Sequence, residues 1–304
     1  VAKKVADRLR NLKQEDAKSY AEAWDALAPF VKIGAMEDEK FADQVSELIL
    51  FGTTAPPNPS ETEEPIAVGD QAFTTLAGYR ARQASDHVNR VLYCTDEIAQ
   101  AGALSLWKGQ GAEVLLAETV IDSQFIPWLE SKHSELKFQR VDAELDESLR
   151  DEQPELTDQD GESPSESLRG LIKKALNNDK VTIQVQALKG GADSPAALIL
   201  LPEQMRRMND IGALMEQRLP GLPDHHVLLV NRRHPMVEGL LKLNAGSVLV
   251  SNETSSPSQQ LAASLAQHLY DMARLSVGGL EPNELAGFQS RSTKLMSELM
   301  ERGM

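Results

Sequence analysis

Apolar residues recur every three to four positions at the start of the chain, which is the period of an amphipathic helix. Residues 1–28 follow this pattern with charged residues between the apolar ones, and we predict one long helix that ends before Pro29. A second helix is predicted over residues 37–51. Residues 53–65 carry four prolines and three glutamates, a composition that is typical of a loop.

Between residues 72 and 140, short apolar runs alternate with helical segments. A helix start is predicted at Thr95, and a further helical piece is predicted at 121–129 with an interruption or kink at Pro127. Because strands alternate with helices, this region predicts a small parallel sheet with crossover helices. The predicted strands are 91–94, 111–116 and 137–141.

An acidic segment follows this region. Residues 142–168 contain eleven acidic residues and a single basic one, Arg150. Like charges at this density repel one another, so we predict a mobile linker and a domain boundary. We therefore divide the chain into a domain at 1–145, an acidic linker at 146–166 and a domain at 167–304.

The second domain also mixes strands with helices, so the predicted fold class is α/β (α+β). A methionine-rich helix is predicted over residues 205–215, and a loop rich in Ser, Thr and Gln is predicted at 252–260. The other predicted elements are a helix at 168–176, strands at 181–186, 196–201 and 226–230, and two long amphipathic helices at 258–276 and 283–302.

Composition narrows the classes of function. The 304 residues are 41% hydrophobic and carry a formal net charge of −15. Such a chain can bury an ample core, but its charge disfavours binding to nucleic acid or to an anionic membrane. The single cysteine, Cys94, excludes an internal disulfide and fits a reducing compartment. Because the chain has no apolar run long enough to span a membrane, we expect a cytoplasmic protein. Because Val1 already lies within a helical pattern, we also expect that the chain is a piece of a longer protein.

Candidate catalytic and metal chemistry is sparse. The segment 108–111, Lys-Gly-Gln-Gly, precedes a strand, whereas a phosphate loop follows a strand and opens a helix. The adjacent residues His225 and His226 would point to opposite faces of a strand and cannot chelate one metal together. Cys94 sits in an apolar strand, where a thiol behaves as a small hydrophobic group. We therefore predict no catalytic residue, cofactor site or metal site.

One alternative is an α/β enzyme with an acidic site. Asp96, Glu97, Glu118 and Asp122 follow two predicted strands, 91–94 and 113–116, and open α/β sheets bind ligands at such strand ends. The same acids also suit helix caps and the first turns of helices. No base, metal cluster or phosphate loop accompanies them, so this reading has less support.

Two apolar patterns indicate binding surfaces. The methionine-rich helix presents either a core face or an adaptable binding surface, because methionine is flexible and polarisable. The closing helices form a hairpin that packs either on its own domain or on a second copy, as a four-helix bundle across a two-fold axis, and the pattern fits both equally. The residues concerned are Met205, Met208, Ile211 and Met215 on the first surface, and Leu261, Leu265, Leu269, Met272, Leu285, Phe288, Leu295 and Leu299 on the hairpin.

Several short motifs occur along the chain in the order of one known family. They are Tyr20-Ala-Glu-Ala-Trp24, Leu48-Ile49-Leu50-Phe51-Gly-Thr-Thr, Tyr79-Arg80-Ala81-Arg82, Gly111 to Leu115 with Ile121-Asp122, and Asn231-Arg-Arg-His234-Pro235-Met236-Val237. Each motif alone is weak, but their common order over nearly the whole chain is specific. The chain resembles the 90-kDa heat-shock chaperones, and it is most similar to the bacterial, HtpG-type members.

The resemblance implies the end of a chaperone middle domain, an αβα unit entered by long helices, followed by a C-terminal dimerisation domain whose helical hairpin forms a four-helix bundle across the dimer. It implies a homodimer that binds unfolded client proteins and possible co-chaperones, with no nucleic-acid or membrane partner. Family members bind ATP and Mg in an N-terminal domain and use a middle-domain arginine. Both lie upstream of these motifs, so the resemblance implies that this chain is not an enzyme by itself.

The resemblance also implies where clients bind. The helix with Met205, Met208, Ile211 and Met215 corresponds to the family's amphipathic client-facing helix. A middle-domain aromatic residue that contacts clients in relatives falls near Gln124, so the neighbouring aromatic side chains become candidates. These are Phe125 and Trp128.

Overall fold

The computed structural model describes residues 2–58, 64–83, 89–143, 149–150, 163–189, 194–201, 225–248, 256–277 and 279–303. The chain divides into two compact units, one made of Val1–Glu97 with Gly111–Val141 and the other of Ile98–Gln110 with Asp142–Met304. Each unit combines helices with a mixed sheet, so the predicted α/β class is confirmed. The predicted domain and linker boundaries stay predictions.

The single long helix predicted at the start of the chain is wrong. Three helices occupy this region: α1 (Ala2–Glu15), α2 (Ala17–Glu22) and α3 (Trp24–Glu37). Asp16 interrupts the first two, because its carboxylate accepts the backbone N–H of Ser19 at 2.9 Å and caps α2. Pro29 lies inside α3 rather than after it. A proline removes one helical hydrogen bond, and the packing of Trp24 and Ala28 in the core outweighs that loss here.

The second predicted helix is right at its start and wrong at its end. Helix α4 (Glu39–Val45) is followed by a turn and then by strand β1 (Leu50–Thr53). Leu50 and Phe51 are buried in this strand. A short apolar run has no period of its own, so it fits the end of a helix and a buried strand equally well.

The sheet of the first unit contains the predicted parallel strands and three more. Its order is β2-β3-β1-β5-β4-β6. The pairs β5–β4 and β4–β6 are parallel, as predicted, whereas β2–β3, β3–β1 and β1–β5 are antiparallel. The strands beyond β1 are β2 (Ile66–Val68), β3 (Gln71–Thr75), β4 (Arg90–Cys94), β5 (Leu115–Leu116) and β6 (Lys137–Arg140).

Three helices lie between these strands in the sequence: α5 (Leu76–Arg82), α6 (Ala101–Gly109) and α7 (Asp122–Lys132). The predicted helix start at Thr95 is wrong, because residues 97–100 form a turn and α6 begins after it. Helix α7 continues through Pro127. Helix α6 groups with the second unit, where a Cβ added at Gly102 would lie 2.7 Å from Leu198 Cδ2.

In the second unit, all three predicted strands are confirmed. They are β7 (Val181–Gln186), β8 (Ala197–Leu200) and β9 (His226–Asn231), in the order β7-β9-β8, with β7 parallel and β8 antiparallel to β9. Helix α8 (Pro164–Leu176) begins four residues before the predicted start. Ser163 and Glu166 form a reciprocal capping box there, so the helix extends into the acidic segment.

The helices at the end of the chain are α9 (Pro235–Val248), α10 (Pro257–Leu275) and α11 (Pro282–Gly303), and the last two agree with the prediction. The predicted loop at 252–260 is wrong from Pro257 onward, because Ser256 and Gln259 form a capping box that starts α10. Buried residues of α10, including Ala262 and Leu269, pack in the core of this unit with strands β7, β8 and β9.

Several predictions fall outside the described residues. These include the methionine-rich helix with Met205, Met208, Ile211 and Met215, and residues 151–162 of the acidic segment. Across the ranges that the structure does describe, no helix is both long enough and apolar enough to cross a membrane.

Candidate functional site

A row of aromatic side chains lies along the first turns of α7. The ring of Phe51 on β1 is 6.3 Å from that of Phe125, which stacks on Trp128 at 5.2 Å between centroids. Phe125 and Trp128 meet because residues three apart share a face of a helix. Phe125 is fully buried, whereas Trp128 is half-buried, so only the outer ring of the row reaches the surface.

A buried ion pair fixes this row in place. Lys32 Nζ lies 2.5 Å from Asp122 Oδ1, and both side chains are almost fully buried. The other carboxylate oxygen of Asp122 accepts the backbone N–H and the hydroxyl of Thr119 at 3.1 and 2.6 Å. The ammonium group also lies 5.0 Å from the ring centroid of Phe51 and 5.6 Å from that of Phe125. The pair thereby ties α3 to the start of α7.

A cleft of about 270 Å³ opens beside the row, and we call it the Trp128 cleft. Its inner surface is apolar and its rim is polar. The rim side chain Lys132 lies 2.6 Å from Glu39 Oε1, and this hydrogen bond lowers the pKa of Glu39. The apolar lining comes from Ala42, Ile49, Phe51, Leu76, Phe125, Trp128 and Leu129, and the polar lining from Glu39, Asp43, Ser46, Lys132 and His133.

The two aromatic residues predicted to bind clients therefore have different positions. Trp128 forms part of the cleft wall and is within reach of a ligand. Phe125 has no exposed surface and supports Trp128 from behind. Sequence reasoning missed the buried pair of Lys32 and Asp122. A lysine between Val31 and Ile33 in an apolar helical segment could have indicated a buried charge. Its partner could not be identified from the sequence, because it lies 90 residues away.

The four acids of the alternative enzyme site are only partly brought together. The backbone N–H of Glu97 donates to Glu118 Oε1 at 3.3 Å. Burial raises the pKa of Glu118, and the negative charges of Glu97, Asp96 and Asp122 add to this effect. Asp122 itself is bound to Lys32. No group of three or more His, Cys, Asp or Glu side chains within the described ranges is arranged to hold a metal ion.

Polar contacts join α10 to α11 in the second unit. Arg274 makes two hydrogen bonds of 2.7 Å to the carboxylate of Glu284, and these lower the pKa of Glu284. Arg291 forms an ion pair with Asp271, which is almost fully buried. Because bidentate and buried pairs hold a defined geometry, α11 has a fixed position on α10. The sequence pattern of apolar residues did not reveal these pairs.

Aromatic contacts support the same hairpin. The rings of His268 and Phe288 stack at 4.9 Å with an angle of 2° between their planes. Burial lowers the pKa of His268. His226 Nε2 and the hydroxyl of Tyr270 are 2.8 Å apart and link β9 to α10. Phe288, which was predicted at an interface between copies, contacts His268 of its own chain.

The hairpin nevertheless leaves apolar side chains in solvent. Met272, Met296 and Met300 are 50%, 53% and 66% exposed, and Leu285 is 39% exposed. Among the predicted interface residues, Leu269 and Leu295 are buried, Leu261, Leu265 and Phe288 are partly buried, and the side chain of Leu299 lies outside the described part. The structure therefore places some of these residues in the core of their own chain and others on an open face.

Similarity to known proteins shows the family to which this chain belongs. The family described as Hsp90 protein matches residues 1–303, and the chain therefore belongs to the Hsp90 family of heat-shock chaperones. Within that family it is an HtpG-type member. The chaperone protein HtpG of Porphyromonas gingivalis is 30% identical over 82% of this chain, and that of Chromobacterium violaceum is 28% identical over 98% of it.

The matched part is a minority of each relative. The chain spans 35% of the length of the P. gingivalis protein and 43% of the C. violaceum protein. Among solved structures, the middle domain of a heat shock protein of Plasmodium falciparum is similar with a TM-score of 0.36 and 18% identity, over 45% of this chain and 53% of that chain.

Proposed function

We propose that this chain is the dimerisation and client-binding part of an ATP-dependent, cytoplasmic chaperone. ATP and Mg would be bound by a domain outside this chain, which by itself would not act as an enzyme. Family membership supports the chaperone class. The observation that carries the proposed dimerisation is the exposed apolar face of the α10–α11 hairpin. The two helices are already held together by the ion pair of Arg291 and Asp271, so this face is not needed for their contact.

The geometry of α11 supports a dimer. Leu285, Met296 and Met300 lie on one face, because steps of eleven and four residues are close to whole helical turns. This face is adjacent to the one that Leu295 buries, and it remains exposed. A stable interface removes about 800 Å² per partner from water. A second hairpin placed antiparallel on this face would cover it and give a four-helix bundle across a two-fold axis.

Two surfaces support client binding. Trp128 presents an aromatic wall at the surface of the first unit, and the stripe of Met205, Met208, Ile211 and Met215 offers flexible apolar side chains. The methionine stripe can repack against many partners, so binding there is expected to be weak and tolerant of sequence.

The dimer is tested by the mass in solution, measured by light scattering across protein concentration. The whole chain is expected to be a dimer, and the variant Met296→Asp/Met300→Asp a monomer. The matched control is Asn283→Asp/Ser290→Asp, which adds the same two charges at exposed positions on another face of α11 and should leave the dimer intact. A chain that ends at Val277 should also be monomeric, since it lacks α11 but keeps the α10 residues of the core. A whole chain that stays monomeric at high micromolar concentration would refute the dimer.

Client holding is tested separately, by suppression of the aggregation of a chemically denatured test protein. Met208→Asp/Met215→Asp and Trp128→Ser are each expected to reduce suppression while the circular-dichroism spectrum stays that of the folded chain. Loss of that spectrum in the methionine variant would instead assign the stripe to a core.

A further inference from the structure

The Trp128 cleft has the size of a site for one side chain. Its volume of about 270 Å³ lies just below the range of roughly 300–1,000 Å³ for sites that hold drug-sized ligands. It is open to solvent along its rim, and its inner surface is formed by aliphatic and aromatic groups. An apolar side chain of an extended segment can enter it while the backbone of that segment stays outside.

The rim of the cleft is negative. Lys132 is bound to Glu39, so these two charges offset each other. Asp43 is exposed, and its carboxylate forms no ion pair with any residue that the structure describes. His133, the C-cap residue of α7, lies 3.5 Å from Glu135 Oε1 through its Nδ1 atom. One uncompensated carboxylate therefore stands at the edge of an apolar site.

The interior of the cleft is already organised without a ligand. Phe51 and Phe125 form part of its base, and both rings contact the buried ammonium group of Lys32. Because Lys32 is held by Asp122, the ammonium group keeps its place against both rings. A preorganised site loses little conformational entropy when it binds.

We propose that the Trp128 cleft binds one apolar side chain of an extended polypeptide segment that carries Lys or Arg within two residues, with Asp43 recognising the cation. This inference rests on the proposed client binding and names the class of segment that the first unit takes. Charge complementarity favours this occupant, since the rim is negative and the chain carries a net charge of −15.

Tryptophan fluorescence reports on the cleft directly. The chain has three tryptophans, and Trp24 and Trp107 are only 2% and 1% exposed. Quenching by acrylamide therefore reports chiefly on Trp128. The probe is a short synthetic peptide with one leucine between two lysines, in a background of glycine and serine. Two matched peptides replace either the leucine by alanine or both lysines by glutamate.

The leucine–lysine peptide is expected to protect Trp128 from acrylamide in the whole chain, and the two matched peptides are expected to bind more weakly. Asp43→Lys should raise the dissociation constant of the leucine–lysine peptide by about fivefold, the upper range for an exposed ion pair. Asp70→Lys makes the same charge change at an exposed position in the β2–β3 turn, and should leave binding unchanged.

Equal affinity for the lysine and glutamate peptides, or equal binding to the Asp43→Lys and Asp70→Lys variants, would overturn the proposal. So would binding that leaves Trp128 fully open to acrylamide. Protection that rises with protein concentration in the absence of peptide would show that a second copy covers the cleft, which also overturns it. In each case aggregation suppression by the whole chain can still be measured, so loss of this specificity is distinguishable from loss of client holding.

Discussion

At the scale of single residues, each unit contains a buried carboxylate that is paired with a cation. A buried ion is tolerated only when a partner and further hydrogen bonds replace its water, and Asp122 has both in Lys32 and Thr119. Asp271 likewise forms an ion pair with Arg291 and accepts a hydrogen bond from the side-chain amide of Gln267. These pairs link α7 to α3 and α11 to α10, so a shift of either helix away from its partner would leave a buried carboxylate unpaired.

Removal of Lys32 is predicted to be strongly destabilising. In Lys32→Met the carboxylate of Asp122 stays buried without its counterion, which costs about 3–5 kcal/mol of unfolding free energy. Lys4→Met, at an exposed position of α1, serves as the control and should cost little. Urea denaturation measures the difference.

Restoration of neutrality provides the internal check. In Lys32→Met/Asp122→Asn the amide keeps an oxygen for Thr119 and no charge is buried, so the double variant is expected to be more stable than Lys32→Met alone. A double variant that is less stable than Lys32→Met would contradict the role assigned to the charge.

The stability of the α10–α11 hairpin is predicted to fall in mild acid through His268. Burial depresses the pKa of His268 below its ordinary value of 6.5; Asp271 raises this pKa and Arg291 lowers it. The unfolded chain therefore takes up a proton first, and stability is lost as the pH falls from about 6.5 through the folded pKa. The pKa of Glu284 is also lowered, but the stability that this carboxylate contributes is lost only at a more acidic pH.

Urea midpoints at pH 7.5 and pH 5.5 measure this effect. His268→Gln should show a smaller loss between the two values, whereas His225→Gln, at an exposed histidine, should behave as the parent chain. An identical loss in all three proteins would assign the acid sensitivity to other groups.

At the scale of elements, the sequence predicts those whose period is regular and misses those that depend on a single capping or pairing residue. The alternation in β7 and the heptad-like spacing in α10 and α11 are visible in the chain, and the structure confirms them. The break at Asp16 and the change from α4 to β1 are not visible, because apolar spacing continues across both. In the candidate site, Trp128 was predicted, but the cleft around it was not, since its walls come from α4, β1 and α7, which are distant in sequence.

The capping box of α10 is predicted to stabilise the second unit. Ser256→Ala removes the oxygen that accepts the backbone N–H of Gln259, which typically costs about 1 kcal/mol. Ser258→Ala, two residues further and exposed, is the matched control and should be neutral or slightly stabilising. Unfolding free energies from urea titration compare the two, and equal values would argue against the cap.

At the scale of the whole molecule, two separate apolar cores underlie the two compact units. One core contains Tyr20, Leu50 and Phe125, and the other contains Leu168, Leu228 and Leu269. Each core is closed by its own sheet and helices, so each unit has its own source of cooperativity. Destabilisation of one unit should therefore be distinguishable from that of the other.

Calorimetry is predicted to resolve two unfolding transitions in the whole chain. Lys32→Met should lower the temperature of one transition, and Ser256→Ala should lower that of the other. If both substitutions shifted a single transition together, the two cores would unfold as one cooperative block, contrary to this expectation.

The order of strands in the first sheet also bears on how the chain is synthesised. Strand β1 lies between β3 and β5, and its partner β5 begins at Leu115, while Lys32 and Asp122 are 90 residues apart. Contacts of such long sequence separation form slowly, because a large loop must close first. When a nascent chain has left the ribosome only as far as β4, the ammonium group of Lys32 on α3 still lacks its counterion Asp122. Strand β1 still lacks its partner β5. Until α7 emerges, the first unit lacks part of its core and exposes apolar surface.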